Sequence, residues 1–130
     1  MSKEFLVSIV DDDQFLRESI GRLVRSFGYA VEAFPSAADF LAFPRLAETS
    51  CLIADVHMPT MTGVELYRRL IEAGHAIPTI LVTAYPDHVV NARALNDGIV
   101  GCLHKPFKDE DLMRCVRIAL ERSNAREENS

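Results

Sequence analysis

The stretch Cys51-Leu52-Ile53-Ala54-Asp55-Val56-His57-Met58-Pro59 decides the fold of this chain. Cys51 to Ala54 is a short apolar run bounded by polar residues, the pattern of a strand buried on both faces. Pro59 cannot continue a sheet and turns Met58 away from helical geometry, so a loop must follow at once. Asp55 therefore stands at the C-terminal end of a central strand. In open parallel α/β sheets that edge is where ligands bind. The rest of the chain reads as the frame of a charged pocket around Asp55.

On the N-terminal side, Phe5 to Val10 is a second apolar run, ending in Asp11, Asp12 and Asp13. From there the period becomes helical. Leu16, Ile20, Leu23, Val24 and Phe27 are expected on the inward face, with Asp13 as N-cap and Gly28 as C-terminal stop. Ala30 to Phe34 reads as a strand. Ser36 and Asp39 stand at capping-box spacing before a helix that packs through Phe40, Leu41 and Phe43.

On the C-terminal side, Thr62 and Glu65 have the same spacing, at the head of a helix with Leu66, Leu70 and Ile71 inward and Gly74 at its end. A fourth strand, Thr79 to Val82, ends at Thr83. A helix opened by Pro86 and carrying Val89, Ala92 and Leu95 stops at Asp97-Gly98. Ile99 to Leu103 is a fifth strand, followed by His104-Lys105-Pro106-Phe107. The last helix is expected from about Asp109 to about Arg122, with Leu112, Val116, Ala119 and Leu120 inward. Ser123 to Ser130 is polar and reads as a frayed tail or the start of a linker.

Five strands alternating with five helices predict an α/β fold, a parallel sheet with helices on both faces. Right-handed crossovers favour the flavodoxin-like strand order 2-1-3-4-5. One domain over residues 1–122, with a polar 123–130, accounts for the whole chain.

The 130 residues suffice for one full core, and 48% hydrophobic with 25% charged residues is an ordinary globular balance. A net charge of −5 argues against direct nucleic-acid binding by this segment. No run is long enough to span a membrane, and the start Met1-Ser2-Lys3-Glu4 lacks the apolar core of a signal peptide; a cytoplasmic setting is expected. Cys51, Cys102 and Cys115 form neither a disulfide framework nor a zinc motif. His57, His75, His88 and His104 show no metal-ligand spacing and read as mainly surface residues. Phe27, Phe34, Phe40 and Phe43 read as core rather than a platform for bases.

In the expected strand order, one sheet edge collects Asp11 and Asp12, Asp55, Thr83 and Lys105 from the ends of strands 1, 3, 4 and 5. Three carboxylates there repel one another unless a cation shares the site. Mg2+ suits them, because it takes a few carboxylates and keeps positions for water or phosphate oxygens. Lys105 supplies a compact positive charge and Thr83 a hydroxyl donor. Together these groups suit transfer of a phosphoryl group onto Asp55. Each residue alone has an ordinary reading: a solvated acidic turn, a loop aspartate, a strand end, a surface lysine. Four such types at four strand ends on one edge outweigh those readings.

These residues resemble the response-regulator receiver domains of two-component signalling. The motifs are Val10-Asp11-Asp12-Asp13, Asp55-Val56-His57-Met58-Pro59 with Gly63, Val82-Thr83-Ala84, and Lys105-Pro106-Phe107. The phrase DVHMPTMTGVEL and the ending HKPF are most similar to the FixJ-type subgroup. The resemblance runs from about Phe5 to Ser123 and implies a CheY-like fold.

It further implies that a sensor histidine kinase phosphorylates Asp55, and that Mg2+, or Mn2+, is held by Asp12 and Asp55 directly. Asp11 would help through water, and the backbone carbonyl of His57 would be a further ligand. Thr83, the backbone amide of Ala84 and Lys105 would hold the phosphoryl oxygens, and the Lys105–Pro106 bond would be cis. Phosphorylation would shift the face of the fourth helix and fifth strand, where such domains dimerise or meet an output domain. The family's switch also uses an inward-turning aromatic residue in strand 5. Cys102 stands there instead and is too small for that role, so Tyr85 is expected to take part of it, within a switch region of Thr83, Tyr85, Cys102 and Pro106. Tyr85 and His57 also hold the two positions that influence phosphate lifetime in the family.

Two other classes compete. An aspartate-nucleophile phosphatase on a related sheet would carry a second Asp two residues after Asp55, where this chain has His57. A flavodoxin-like cofactor binder would need Ser, Thr and Gly where this chain has three acids. A signalling switch is the reading the residues favour, either as a stand-alone receiver acting by protein contact or as part of a longer FixJ-type transcription regulator.

Overall fold

The computed structural model describes residues 5–85 and 98–128. Its strands β1 (Leu6–Val10), β2 (Ala30–Phe34), β3 (Cys51–Asp55), β4 (Thr79–Thr83) and β5 (Ile99–His104) form one parallel sheet in the order β2-β1-β3-β4-β5. This is the order expected from the sequence. Val10 lies opposite Ala54, Asp55 opposite Val82, and Thr83 opposite His104. That register ends four strands level with one another, and the residues just beyond them share one edge.

Side chains alternate across the sheet, so each strand feeds two cores. Val7, Ile9, Cys51, Ile53, Ile80 and Val82 pack with Ile20 and Val24 of α1 (Gln14–Ser26) and with Leu112, Val116 and Ala119 of the C-terminal helix (Asp109–Glu128). Val10, Leu52, Ala54 and Leu81 face the other way, against Phe40 of α2 (Ala37–Leu41) and Leu66 and Leu70 of α3 (Gly63–Glu72). β1, β3 and β4 are buried along their whole length, as helices on both faces require. Phe34 meets Phe40 and Phe43 at ring-centroid separations of 5.4 and 5.0 Å, so these three rings are packing residues.

The helix starts follow their caps. The Asp13 side chain accepts from the Leu16 amide, and the Ser36 hydroxyl from the Asp39 amide. Thr62 and Glu65 close a complete capping box. Gly28 and Gly74 take positive φ just beyond α1 and α3.

Several expectations need correction. Phe27 is 54% exposed rather than inward, because it is the C-cap of α1, beyond the last buried position Val24. Ile71 is also exposed. It is turned about 100° around α3 from Leu70, off the face that Leu66, Tyr67 and Leu70 bury. Tyr67 takes the interior place, with its hydroxyl against Gly98, whose missing side chain leaves the room. Leu46 is buried by a short 3-10 turn (Leu46–Glu48) that the sequence pattern did not suggest. The C-terminal helix does not stop at Arg122 but runs to Glu128, and Ser123 is buried. No Gly or Pro breaks Ser123 to Glu128, and Ala, Arg and Glu are good helix formers. The helix expected after Pro86, with Val89, Ala92 and Leu95, lies outside the described residues, as does His88.

Candidate functional site

Asp55 ends β3 with its carboxylate buried, only 5% of the residue being exposed. Each carboxylate oxygen has its own partner. Oδ1 accepts from the His57 amide at 3.0 Å, and Oδ2 from Lys105 Nζ at 3.0 Å. The loop after β3 leaves the sheet at Asp55 because the Gly63 amide returns to the Val56 carbonyl, 3.1 Å away. That return is close. A Cβ at Gly63 would lie 2.5 Å from the Asp55 carbonyl oxygen. Within this loop Thr60 has φ of 72°, a left-handed conformation that a β-branched residue rarely takes.

Asp11 follows β1 and is almost wholly buried. Its Oδ1 accepts from the Asp13 amide at 2.9 Å. Its Oδ2 is buried with no hydrogen-bond donor among the described residues. Lys105 Nζ lies 3.5 Å from it, close enough for charge attraction but without hydrogen-bond geometry, the ammonium being aimed at Asp55. Burial raises the Asp11 pKa from 3.8 to about 6. The Asp13 amide and Lys105 work against this, and the charges on Asp55 and Asp12 add to it.

Asp12 is exposed, yet one oxygen from each of Asp11, Asp12 and Asp55 lies within 4.8 Å of the others. Three acids, one of them with a buried oxygen that has no donor among the described residues, fit a hard divalent cation that takes oxygen ligands. Such an ion would satisfy Asp11 Oδ2 and remove the mutual repulsion.

Thr83 ends β4, and its hydroxyl is turned along its own loop. Thr83 Oγ1 accepts from the Tyr85 amide at 3.0 Å and lies 3.5 Å from the Tyr85 carbonyl oxygen. Ala84 and Tyr85 are exposed, and the Tyr85 ring sits 4.5 Å from that of His57. Lys105 follows β5, with its amide donating to the Thr83 carbonyl at 2.7 Å and a cis bond to Pro106. Cys102 is buried in the core on the α3 side of the sheet. The structure thus brings Asp11, Asp12, Asp55 and Lys105 into direct proximity. Thr83 stands at the same edge without a hydrogen bond to Asp55.

Two residues here were missed by sequence reasoning. Arg17 Nη1 donates to the Asp11 carbonyl at 2.7 Å, fixing the turn that presents the acids. A signal was available: a cation near the positive end of a helix is unfavourable without a local acceptor. His104 Nε2 lies 3.1 Å from the Ala84 carbonyl oxygen, a contact with no spacing signature in the sequence.

A strand-end carboxylate with a lysine partner thus stands beside an acid cluster at one edge of a parallel 2-1-3-4-5 sheet. The family model described as "Response regulator receiver domain" matches residues 7–117, and the chain belongs to that family. It is 38% identical to the response regulator protein TmoT of Ectopseudomonas mendocina over 98% of this chain and 58% of that protein. It is 35% identical to the transcriptional regulatory protein FixJ of Rhizobium meliloti over 91% of this chain and 58% of that protein. The crystal structure titled FixJ-N is similar with a TM-score of 0.82 at 34% identity, covering 92% of this chain and 96% of that one. The chain thus spans 58% of the length of each of these two relatives. Among the described residues no helix is long and apolar enough to cross a membrane.

Proposed function

We propose that Asp55 accepts a phosphoryl group from a sensor histidine kinase in a Mg2+-dependent reaction. An Asp55 carboxylate oxygen attacks phosphorus, the bond from phosphorus to the donor's imidazole nitrogen breaks, and the departing imidazole takes up a proton. Asp12 and Asp55 would hold Mg2+ (Mn2+ could replace it), with Asp11 and the His57 carbonyl completing the ligand set. Bound there, the ion neutralises charge on the phosphoryl oxygens. The ammonium of Lys105, the Thr83 hydroxyl and the Ala84 amide would take those oxygens. The observation that carries this reading is the Asp55 carboxylate, held by Lys105 at 3.0 Å within an acid cluster in which the buried Asp11 Oδ2 has no hydrogen-bond donor among the described residues. The domain would assist its own phosphorylation and dephosphorylation and catalyse nothing further.

Phosphorylation would draw Thr83 and its loop toward Asp55, through a switch region of Thr83, Tyr85, Cys102 and Pro106. The face made by β5 and the helix expected after Pro86 would then pair two copies or meet an output domain. Residues 1–122 would be the receiver unit in a cytoplasmic protein, with 123–130 leading into a longer FixJ-type transcription regulator. Two facts support the longer chain: the partial coverage of TmoT and FixJ, and the name of the latter.

Intact-mass spectrometry after incubation with Mg2+ and acetyl phosphate tests the chemistry, with size-exclusion chromatography alongside. One phosphoryl adduct is expected, absent in Asp55→Asn and after chelation. A folded chain that takes no adduct, or an Asp55→Asn variant that takes the same one, would reject Asp55 as the acceptor. A dimer that forms with the adduct, and is lost in Tyr85→Ala, would support the role given to Tyr85.

A further inference from the structure

The loop after β4 is held from two sides through a single peptide group. The peptide between Ala84 and Tyr85 has its N–H on Thr83 Oγ1 at 3.0 Å and its C=O facing His104 Nε2 at 3.1 Å. A carbonyl oxygen only accepts, so His104 carries a proton on Nε2 in this contact. A peptide is rigid and planar, so two bonds at its opposite ends fix its rotation. His104 is well placed for this. It is the last residue of β5 and lies directly opposite Thr83 in the β4–β5 register. It also shares the face of β5 occupied by Cys102, two residues earlier, where a small buried side chain leaves the strand without a large group to reach the loop.

We propose that His104 is a positioning residue that clamps the Ala84–Tyr85 peptide and so keeps the Thr83 hydroxyl turned away from Asp55. This inference rests on the phosphoacceptor reading of Asp55 for its consequence, though not for the clamp itself. With a phosphoryl group on Asp55, Thr83 must turn its O–H from the Tyr85 carbonyl, 3.5 Å away, toward that group, and the rotation about Cα–Cβ that does so carries Oγ1 off the Tyr85 amide. While the His104 bond persists, the peptide stays oriented to offer that amide back to Thr83. The bond thus favours the resting arrangement of the loop. Removing it leaves the Tyr85 amide less firmly held and lowers the cost of turning Thr83. A hydrogen bond of ordinary net strength corresponds to a change of about three- to tenfold in that equilibrium.

The test uses the whole chain with His104→Ala, His104→Phe and His104→Gln. Phe keeps a ring but has no donor. Gln keeps a donor that can reach a carbonyl. Two readouts are taken: amide hydrogen exchange at Tyr85 without metal, and binding of beryllofluoride, a tetrahedral phosphoryl mimic, with Mg2+ present. In the Ala and Phe variants, Tyr85 exchange is expected to speed up and beryllofluoride to bind about three- to tenfold more tightly. The Gln variant should stay near the native values. Unchanged Tyr85 exchange in Ala and Phe would overturn the clamp, whatever Asp55 does. So would faster exchange with unaltered beryllofluoride affinity, since the clamp would then not be coupled to the site. If native chain bound no beryllofluoride at Asp55, the phosphoacceptor reading would fail, and faster Tyr85 exchange in Ala and Phe but not Gln would still establish the clamp.

Discussion

At Asp11 a single buried oxygen ties the stability of the chain to pH. The folded pKa of about 6 exceeds the ordinary 3.8, so the folded chain holds this proton more tightly than the unfolded chain does. The stability gained is complete below about pH 3.8 and is lost as pH rises through about 6. At 1.36 kcal/mol per pKa unit, the Asp11 contribution amounts to about 3 kcal/mol at most. Metal-free native chain should therefore lose stability between pH 4 and pH 7 relative to Asp11→Asn, and paired urea titrations across that range would measure the difference. Parallel curves for the two proteins would show that Asp11 titrates like an exposed acid. Thr60 stores strain of another kind. Its φ of 72° costs a β-branched residue about 1 kcal/mol or more and costs glycine almost nothing. Thr60→Gly should stabilise the fold by about 1 kcal/mol, less the extra freedom glycine gains when unfolded. A lower urea midpoint for the variant would mean that the loop gains nothing from relaxing there.

Among the elements, α3 owes its placement to a missing side chain at its first residue. Its first residue, Gly63, meets the Asp55 carbonyl so closely that a Cβ would lie 2.5 Å from the oxygen and 3.2 Å from Leu81 Cδ2. The first neighbour is backbone and cannot rotate away, so Gly63→Ala must push α3 off the end of β3. About 2–3 kcal/mol of destabilisation is expected, at the upper end of overpacking costs, together with slower uptake of phosphate from acetyl phosphate. Denaturant titration and the rate of adduct formation would check the two effects separately. An intact rate in a destabilised variant would mean that Asp55 holds its position without α3.

The same elements show what a sequence can and cannot carry. β1, β3 and β4 were legible because burial on both faces writes an unbroken apolar run, and α1 and α3 because Asp13 and Thr62 cap them. The strand-end residues at the site followed from strand order alone. Phe27, Ile71 and Tyr67 were misread or passed over, because apolar periodicity marks a helix stripe but not where the helix overruns its core. The contact of His104 was invisible for another reason, and that of Arg17 left only its place near a helix start as a signal. Both are side chains reaching backbone carbonyls brought near by the fold, and no residue type marks the acceptor.

For the molecule as a whole, the acid cluster sets two effects of opposite sign against each other. Without a cation, the cluster opposes folding, through the burial of Asp11 and its repulsion with Asp55 and Asp12. With one bound only by the folded chain, the same oxygens stabilise it, by about 1.4 kcal/mol when Mg2+ is at ten times its Kd. Asp11→Asn should therefore be more stable than native chain at pH 7 without metal, and should gain less from Mg2+. Asp55→Asn should also gain little, since it loses one of the three carboxylates that would hold the ion. Lower pH works in the same direction. Protonation of Asp11 near pH 6 competes with the ion, so the gain for native chain should shrink between pH 7.5 and pH 5.5. Thermal unfolding of the three proteins with Mg2+ or chelator at the two pH values would read all of this at once. An Mg2+-induced rise in Tm of the same size in every protein would mean that the ion binds elsewhere, and the three carboxylates would then be an acidic cluster held by Lys105 and the Asp13 and His57 amides.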